Sequence, residues 1–172
     1  MNEKQVGDEL IDAVDAEDRV IGTYTRREIH RHDMRHRACH ALLFNAAGEL
    51  FLQHRSMLKD NNPGLWDSSC AGHVDSGESY DDCILRELEE ELGVRLDTLP
   101  QRLFRVPASA DNEWEFAQIY RAEYDGPLQL DPEEVAGGRW LSCAQVDAWV
   151  AAEPESLTPG FRQIWARYRA AQ

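Results

Sequence analysis

Alternation of hydrophobic and polar residues predicts a series of short β-strands along the chain. The stretches with this pattern are residues 9–14, 19–24, 39–44, 49–53, 66–71, 103–107, 113–124 and 139–141. The first two flank the polar turn DAED and the next two flank the turn NAAG, so each pair predicts a hairpin.

Residues 80–92 have the periodicity of an amphipathic helix, with apolar positions at Ile84, Leu85, Leu88 and Leu92. Ser79 is a favourable N-cap, and Asp82 three residues later completes a capping-box pattern. Gly93 lies where a C-cap glycine is expected. The pattern therefore predicts a well-terminated helix that is half buried.

Two further helices are predicted at residues 144–151 and 159–170, the second preceded by Thr158 as its cap. No internal repeat or low-complexity tract interrupts this order, and 172 residues suit one domain with its own core. We therefore expect a single domain of mixed α/β order.

Composition argues against several classes of protein, namely nucleic-acid-binding, membrane-spanning and secreted proteins. A net charge of −14 argues against nucleic acid as a partner. No stretch is long and apolar enough to span a membrane, and the segment MNEKQVGDELID lacks a signal-peptide pattern. Four cysteines without a CxxC pair are typical of a reducing compartment. We expect a cytoplasmic protein.

The predicted helix at residues 80–92 carries three glutamates on one face. Glu87, Glu90 and Glu91 are spaced i, i+3, i+4, so their carboxylates repel one another. A hard divalent cation such as Mg²⁺ or Mn²⁺ removes that cost, because carboxylate oxygens are its preferred ligands. The alternative is a solvated acidic helix.

Basic residues are concentrated in residues 26–37, RREIHRHDMRHR, which contain five arginines and three histidines. This segment is either a solubilising surface helix or turn, or a wall for an anionic ligand. In the second interpretation Arg37 is a substrate-binding residue.

Residues 72–94, GHVDSGESYDDCILRELEEELGV, resemble the Nudix box, G-x5-E-x7-R-E-U-x-E-E-x-G-U, at every position. The resemblance implies a Nudix fold over residues 1–172, a mixed β-sheet sandwiched between α-helices. It also implies Mg²⁺ or Mn²⁺ ligands, namely the carbonyl of Gly72 with Glu87, Glu90 and Glu91. Arg86 would orient Glu87, and Glu78 would support the loop before the helix.

Residues 35–120 also resemble type 1 isopentenyl diphosphate isomerases, a branch of the Nudix fold. That family's metal ligands correspond to His36, His73, Glu113 and Glu115, while His30 is one residue from the position of a further ligand histidine. Its diphosphate-binding residues correspond to Arg55 and Lys59.

Two departures from the isomerase pattern favour a hydrolase over an isomerase. The isomerase cysteine precedes the Gly-His pair, and Ala71 occupies that position here. Cys70 lies one residue earlier, so on a strand it points to the opposite face. The Nudix box, which isomerases partly lose, is complete.

We therefore expect a Mg²⁺-dependent pyrophosphohydrolase that cleaves nucleoside di- or triphosphates, or another nucleoside diphosphate derivative. An isopentenyl diphosphate isomerase and a non-catalytic sensor of a phosphorylated ligand are the alternatives. Catalytic roles are assigned to Arg86, Glu87, Glu91 and Glu115, and the general base stays open among Glu87, Glu91, Glu113 and Glu115. Trp66 and Trp114 either stack on the substrate or belong to the core.

Overall fold

The computed structural model of this protein describes residues 9–172, which form two β-sheets and four α-helices. The strands are β1 (Leu10–Val14), β2 (Val20–Thr25), β3 (His36–Phe44), β4 (Leu50–Arg55), β5 (Trp66–Asp67), β6 (Cys70–His73), β7 (Gln101–Val106), β8 (Glu115–Glu123) and β9 (Val135–Leu141). The helices are α1 (Arg26–Arg31), α2 (Tyr80–Leu92), α3 (Cys143–Ala152) and α4 (Pro159–Ala170). Short 3₁₀ turns lie at Ala110–Asn112 and Pro154–Ser156.

The larger sheet is mixed and has the order β5-β4-β3-β8-β7, with β6 paired to β3 and β9 paired to β4. Strands β3 and β8 are parallel, and their register begins with His36 beside Glu115. The other pairings in this sheet are antiparallel. This register brings two of the predicted site residues side by side.

Strand β3 is buried on both faces because helices cover both sides of the sheet. On one face, Leu43 belongs to the core that Ile84 and Leu88 of α2 complete. On the other face, Leu42 belongs to the core completed by α3 and α4, including Phe161. The predicted arrangement of a mixed sheet between helices is confirmed.

Helix α2 has the predicted bounds because both of its ends are capped. The Oγ of Ser79 accepts a hydrogen bond from the backbone N–H of Asp82 (3.1 Å), and Gly93 has a left-handed φ of 65°. The full capping box is not formed, since the Asp82 carboxylate accepts from the Ser79 hydroxyl (2.8 Å) rather than from the backbone.

Both predicted hairpins are confirmed, but two other strand predictions need correction. Residues 66–71 do not form one strand, because Ser68 and Ser69 separate β5 from β6. Strand β8 begins only at Glu115, because Glu113 and Trp114 have left-handed φ values of 59° and 64° that no strand contains. Among residues 9–172, no helix combines the length and the apolar character needed to cross a bilayer.

Candidate functional site

A cavity of about 710 Å³ opens between α2, the loop after β4 and the first turn of α4. This volume lies in the range of small-molecule sites, roughly 300–1,000 Å³. Acidic side chains outnumber basic ones in its wall, where the basic ones are Arg26, Arg55, Lys59 and Arg86. An anionic ligand therefore needs cations to offset the negative charge of the wall.

Helix α2 brings the three predicted carboxylates to this wall. The side chain of Glu91 is buried and that of Glu87 is only 12% exposed, whereas that of Glu90 is 59% exposed. The side-chain amide of Gln53 donates to Glu91 Oε2 (3.1 Å). Two carboxylates are thus enclosed at the base of the site and the third lies at its rim.

Arg86 connects the helix to the loop that precedes it. Its guanidinium donates to both carboxylate oxygens of Glu78 (2.8 and 2.9 Å) and to Glu87 Oε1 (2.7 Å). It also reaches Glu90 Oε2 (3.2 Å) and the carbonyl oxygen of His73 (3.1 Å). One guanidinium therefore positions the carboxylates and the end of β6 together.

Burial raises the pKa of Glu87 to about 7, although the Arg86 guanidinium opposes this shift. Burial and the neighbouring Glu87 raise the pKa of Glu91 well above its usual range. A divalent cation would offset both the burial and the repulsion. Since oxygen ligands suit hard cations, these residues fit Mg²⁺ or Mn²⁺.

A second cluster lies where α1, β3 and β6 meet. The imidazole rings of His30, His36 and His73 face one another with centroids 5.1 to 5.2 Å apart. Each offers one nitrogen, and these atoms lie within 4.8 Å of one another. Glu115 Oε1 lies 3.2 Å from His73 Nε2 and 3.7 Å from His36 Nε2.

The hydrogen bonds of this cluster leave ring nitrogens free for a ligand. His36 Nδ1 lies 2.9 Å from the carbonyl oxygen of Met34, so it is the protonated nitrogen and Nε2 carries the lone pair. Within residues 9–172, the buried Nε2 atoms of His30 and His36 have no hydrogen-bond partner. Three imidazoles and a carboxylate fit a transition metal such as Mn²⁺, Zn²⁺ or Ni²⁺.

Electrostatics favour the protonation states that metal binding requires. Burial, together with His73 and His36, lowers the pKa of His30 to about 4. Burial also lowers the pKa of His73. Burial alone would raise the pKa of Glu115, but the neighbouring His36 and His73 outweigh it and hold that pKa well below its usual range. At neutral pH, His30 and His73 are therefore neutral and Glu115 is ionised.

The predicted strand over residues 113–124 would put Glu113 and Glu115 on one face, but Glu113 lies before β8 in a left-handed conformation. Both side chains still line the cavity. Glu113 Oε2 accepts from the Asn61 side chain (3.3 Å), and Glu115 contacts the histidines. His30, one residue from the family position, joins the cluster from α1.

Two of the three predicted substrate-binding residues line the cavity. Arg55 donates to the carbonyl oxygen of Asn61 (2.8 Å), and Lys59 forms an ion pair with Glu134. The prediction for Arg37 is corrected. Its guanidinium is held by Asp18 (2.7 Å), on the face of β3 opposite to that of His36, and it does not line this cavity.

Arg26 and Glu134 line the cavity, but the sequence did not single out either residue. Arg26 is buried, pairs with Asp60 (3.0 Å) and faces the cavity, although composition alone marked only its basic segment. Glu134 lies just before β9 in the sequence DPEEV, which carries no recognisable spacing of its own.

The cysteine predicted to point away from the site does so. Cys70 is fully buried in the core beneath α2, whereas Ala71 lines the cavity. The two candidate stacking residues lie elsewhere: Trp66 stacks on His54 with centroids 4.6 Å apart, and Trp114 lies beneath Arg35. Neither tryptophan lines this cavity.

Comparisons with known proteins agree with this architecture. Residues 34–161 match the sequence model of the NUDIX domain. The chain is 34% identical to an isopentenyl-diphosphate Δ-isomerase from Burkholderia multivorans, over 90% of this chain and 89% of that relative. It is 39% identical to an uncharacterized Nudix hydrolase from Pseudomonas aeruginosa, over 77% and 78%. A crystal structure from Deinococcus radiodurans superposes with a TM-score of 0.77 at 27% identity, covering 92% and 98% of the two chains.

Proposed function

Because the chain belongs to the Nudix family, we propose that it is a hydrolase that requires a divalent cation and cleaves a diphosphate linkage. The substrate class is a nucleoside di- or triphosphate or another nucleoside diphosphate derivative. The products are a nucleoside monophosphate and phosphate or pyrophosphate. The cation is Mg²⁺, with Mn²⁺ as a substitute.

The buried carboxylates of α2 support a cation at this site. Glu87, Glu90 and Glu91, with the carbonyl oxygen of Gly72, would hold it. When bound, the cation would neutralise the charge that develops on the leaving phosphate and lower the pKa of a nearby water.

The chain's own groups orient the substrate around this site. Arg86 holds Glu87 in place through a 2.7 Å hydrogen bond. Arg55 and Lys59 also line the cavity and would bind the diphosphate oxygens. Glu115 is hydrogen-bonded to His73, which makes it a poor acceptor for the proton of an attacking water.

One observation favours hydrolysis over isomerisation. The cavity wall includes Glu87, Glu90 and Glu91, and within residues 9–172 no cysteine sulfur lines it. Cys70 is fully buried on the other side of β6, and burial raises its pKa well above the usual range. Activation of water needs carboxylates and a cation but no thiol.

An isopentenyl diphosphate isomerase is the second candidate. The relative from Burkholderia multivorans and the cluster of His30, His36, His73 and Glu115 favour it. Ala71 counts against it, since a methyl group cannot deliver a proton.

A substrate panel tests the proposal. The wild-type protein is assayed with Mg²⁺ on nucleoside di- and triphosphates, nucleotide sugars, dinucleoside polyphosphates and isopentenyl diphosphate. Phosphate and pyrophosphate release are followed beside formation of the allylic isomer. We expect release from at least one nucleotide. Isomer formation without any release would overturn the proposal in favour of the isomerase.

We propose a second metal site at His30, His36, His73 and Glu115, with Glu113 close to it. The chain loaded with Mn²⁺ should contain one more tightly held metal ion than its His73→Gln variant, measured by elemental analysis after gel filtration. His32→Gln is the matched control, because His32 is exposed on the same basic segment. Equal metal content in all three proteins would refute this site.

A further inference from the structure

Glu134 forms an ion pair with Lys59, and both residues line the cavity. Both side chains are partly exposed, at 35% and 21%, so a ligand can reach either of them. Lys59 is one of the two residues proposed to bind the diphosphate. A diphosphate that binds Lys59 must therefore compete with the carboxylate of Glu134.

Backbone hydrogen bonds hold Glu134 between the two functional walls. The N–H of Asp131 donates to the carbonyl oxygen of Glu91 (3.0 Å), which ties this loop to the end of α2. The N–H of Ser56 donates to the carbonyl oxygen of Glu134 (3.0 Å), which ties the loop to the segment that carries Lys59. The position of Glu134 is therefore fixed relative to both walls.

The charge of Glu134 acts on the box carboxylates. Burial is the largest cause of the raised pKa values of Glu87 and Glu91, and repulsion from Glu134 adds to both. The same repulsion adds to the raised pKa of Glu9. Glu134 lines the same cavity as the proposed cation ligands without belonging to α2.

We propose that Glu134 is the general base of the reaction and that Lys59 restrains it until the diphosphate binds. The inference rests on the proposed hydrolase function. When Lys59 moves to the diphosphate, the freed carboxylate takes a proton from the attacking water. At the same time the oxygen of that water bonds to phosphorus. The bond from phosphorus to the bridging oxygen breaks, and its electron pair leaves with the departing phosphate.

Other carboxylates of the cavity are less suited to this role. Glu87 and Glu91 are buried and serve as cation ligands in the proposal, so their lone pairs are engaged. Glu115 accepts a hydrogen bond from His73, and Glu113 accepts one from Asn61. Glu134 instead has a partner that the substrate itself can remove.

The turnover of two matched variants tests the assignment of Glu134 as the general base. The substrate is whichever of ADP, GDP, CDP and UDP the wild-type protein hydrolyses fastest with Mg²⁺. Glu134→Gln should lower kcat by at least about 100-fold, the usual contribution of a general base. Glu133→Gln, an exposed neighbour on the same loop, should stay within about twofold of wild type.

The affinity for a diphosphate analogue tests whether Glu134 competes with the diphosphate for Lys59. It also distinguishes this competition from a purely structural role of Glu134. Methylenediphosphonate with Mg²⁺, measured by calorimetry, should bind Glu134→Gln up to about fivefold more tightly than wild type, because Lys59 is released. It should bind Lys59→Met more weakly. In the Lys59→Met background, Glu134→Gln should give no further gain. Lower turnover with tighter binding is not the result of a damaged fold.

The outcomes distinguish this inference from the function on which it rests. If no nucleotide in a broad panel is hydrolysed by wild type, the proposed function fails. If wild type is active and Glu134→Gln keeps kcat within about threefold, the function stands and the base assignment is overturned. Should Glu134→Gln not fold, Glu134→Asp keeps the charge but shortens the reach, and unchanged turnover there would also overturn it.

Discussion

Gly72 lies so close to Glu87 that a Cβ atom at position 72 would overlap the Glu87 carboxyl group. Gly72 belongs to β6, whereas Glu87 lies on α2, so this contact joins the two elements that form the proposed cation site. A residue without a side chain is required here for a steric reason. It lets the main chain of β6 approach the buried carboxylate directly.

Replacing Gly72 by alanine should therefore displace Glu87 from the wall. We expect nucleotide hydrolysis to fall by about 100-fold or more, since misplacement of a catalytic group by about 1 Å has effects of this size. Gly137→Ala is the control, because an added Cβ at Gly137 meets no atom within 4 Å. Equal activity of the two variants would contradict the placement of Gly72 in the site.

Glu91→Gln keeps the size of the side chain but removes the buried charge. We expect activity to fall by at least about 100-fold while the metal-free protein becomes more stable, because the cost of burying the Glu91 carboxylate and its repulsion by Glu87 are both removed. Glu90→Gln should also lose activity. The control is Glu89→Gln on the solvent side of the helix. Full activity in both Glu90→Gln and Glu91→Gln would refute the cation site.

Cys70→Ala should leave turnover within about twofold of wild type, because no thiol reaches the cavity. Its buried sulfur contributes to packing, so the free energy of unfolding should fall by about 1 kcal/mol. The same assays on Cys143→Ala give the reference for a partly exposed cysteine. A turnover loss of 100-fold in Cys70→Ala would restore a cysteine mechanism.

The metal-free protein should lose stability as the pH rises from about 4.5 to about 7. Glu87 has a pKa near 7 in the folded chain, raised by burial from 4.5. A raised carboxyl pKa stabilises the fold while the group is protonated, so this contribution is complete below pH 4.5 and lost above 7. The expected decrease is at most about 3 kcal/mol.

Urea unfolding in EDTA at several pH values measures this decrease. Glu87→Gln should flatten the pH dependence, and saturating Mg²⁺ should reduce it because the cation replaces the proton. A metal-free protein whose stability rises steadily from pH 4.5 to 7 would show that Glu87 is not held in a desolvated position.

Much of the fold follows from local patterns in the sequence. The bounds of α2 agree with the prediction because Ser79 and Gly93 terminate the helix through their own backbone and side-chain bonds. The turns of both hairpins are likewise determined by residues that are close together in the sequence. Glu113 and Trp114 were misassigned to a strand, because their left-handed conformation is imposed by the surrounding loops and not by their residue types.

The candidate site likewise has one part that local sequence patterns predicted and another part that they did not. The spacing of Glu87, Glu90 and Glu91 along the chain determined an acidic helix face, because the helix repeat relates sequence distance to direction. Alternation along a strand likewise determined that Cys70 would point away from the side of Ala71. These relationships depend only on the geometry of one element.

Contacts between distant segments were decided only by the tertiary structure. The parallel register of β3 and β8 puts Glu115 beside the histidines, and the path of α1 adds His30 to them. The same packing commits Arg37 to Asp18 and brings Glu134 to Lys59. No local periodicity encodes these pairs, because each joins residues whose separation in space is set by how whole elements pack.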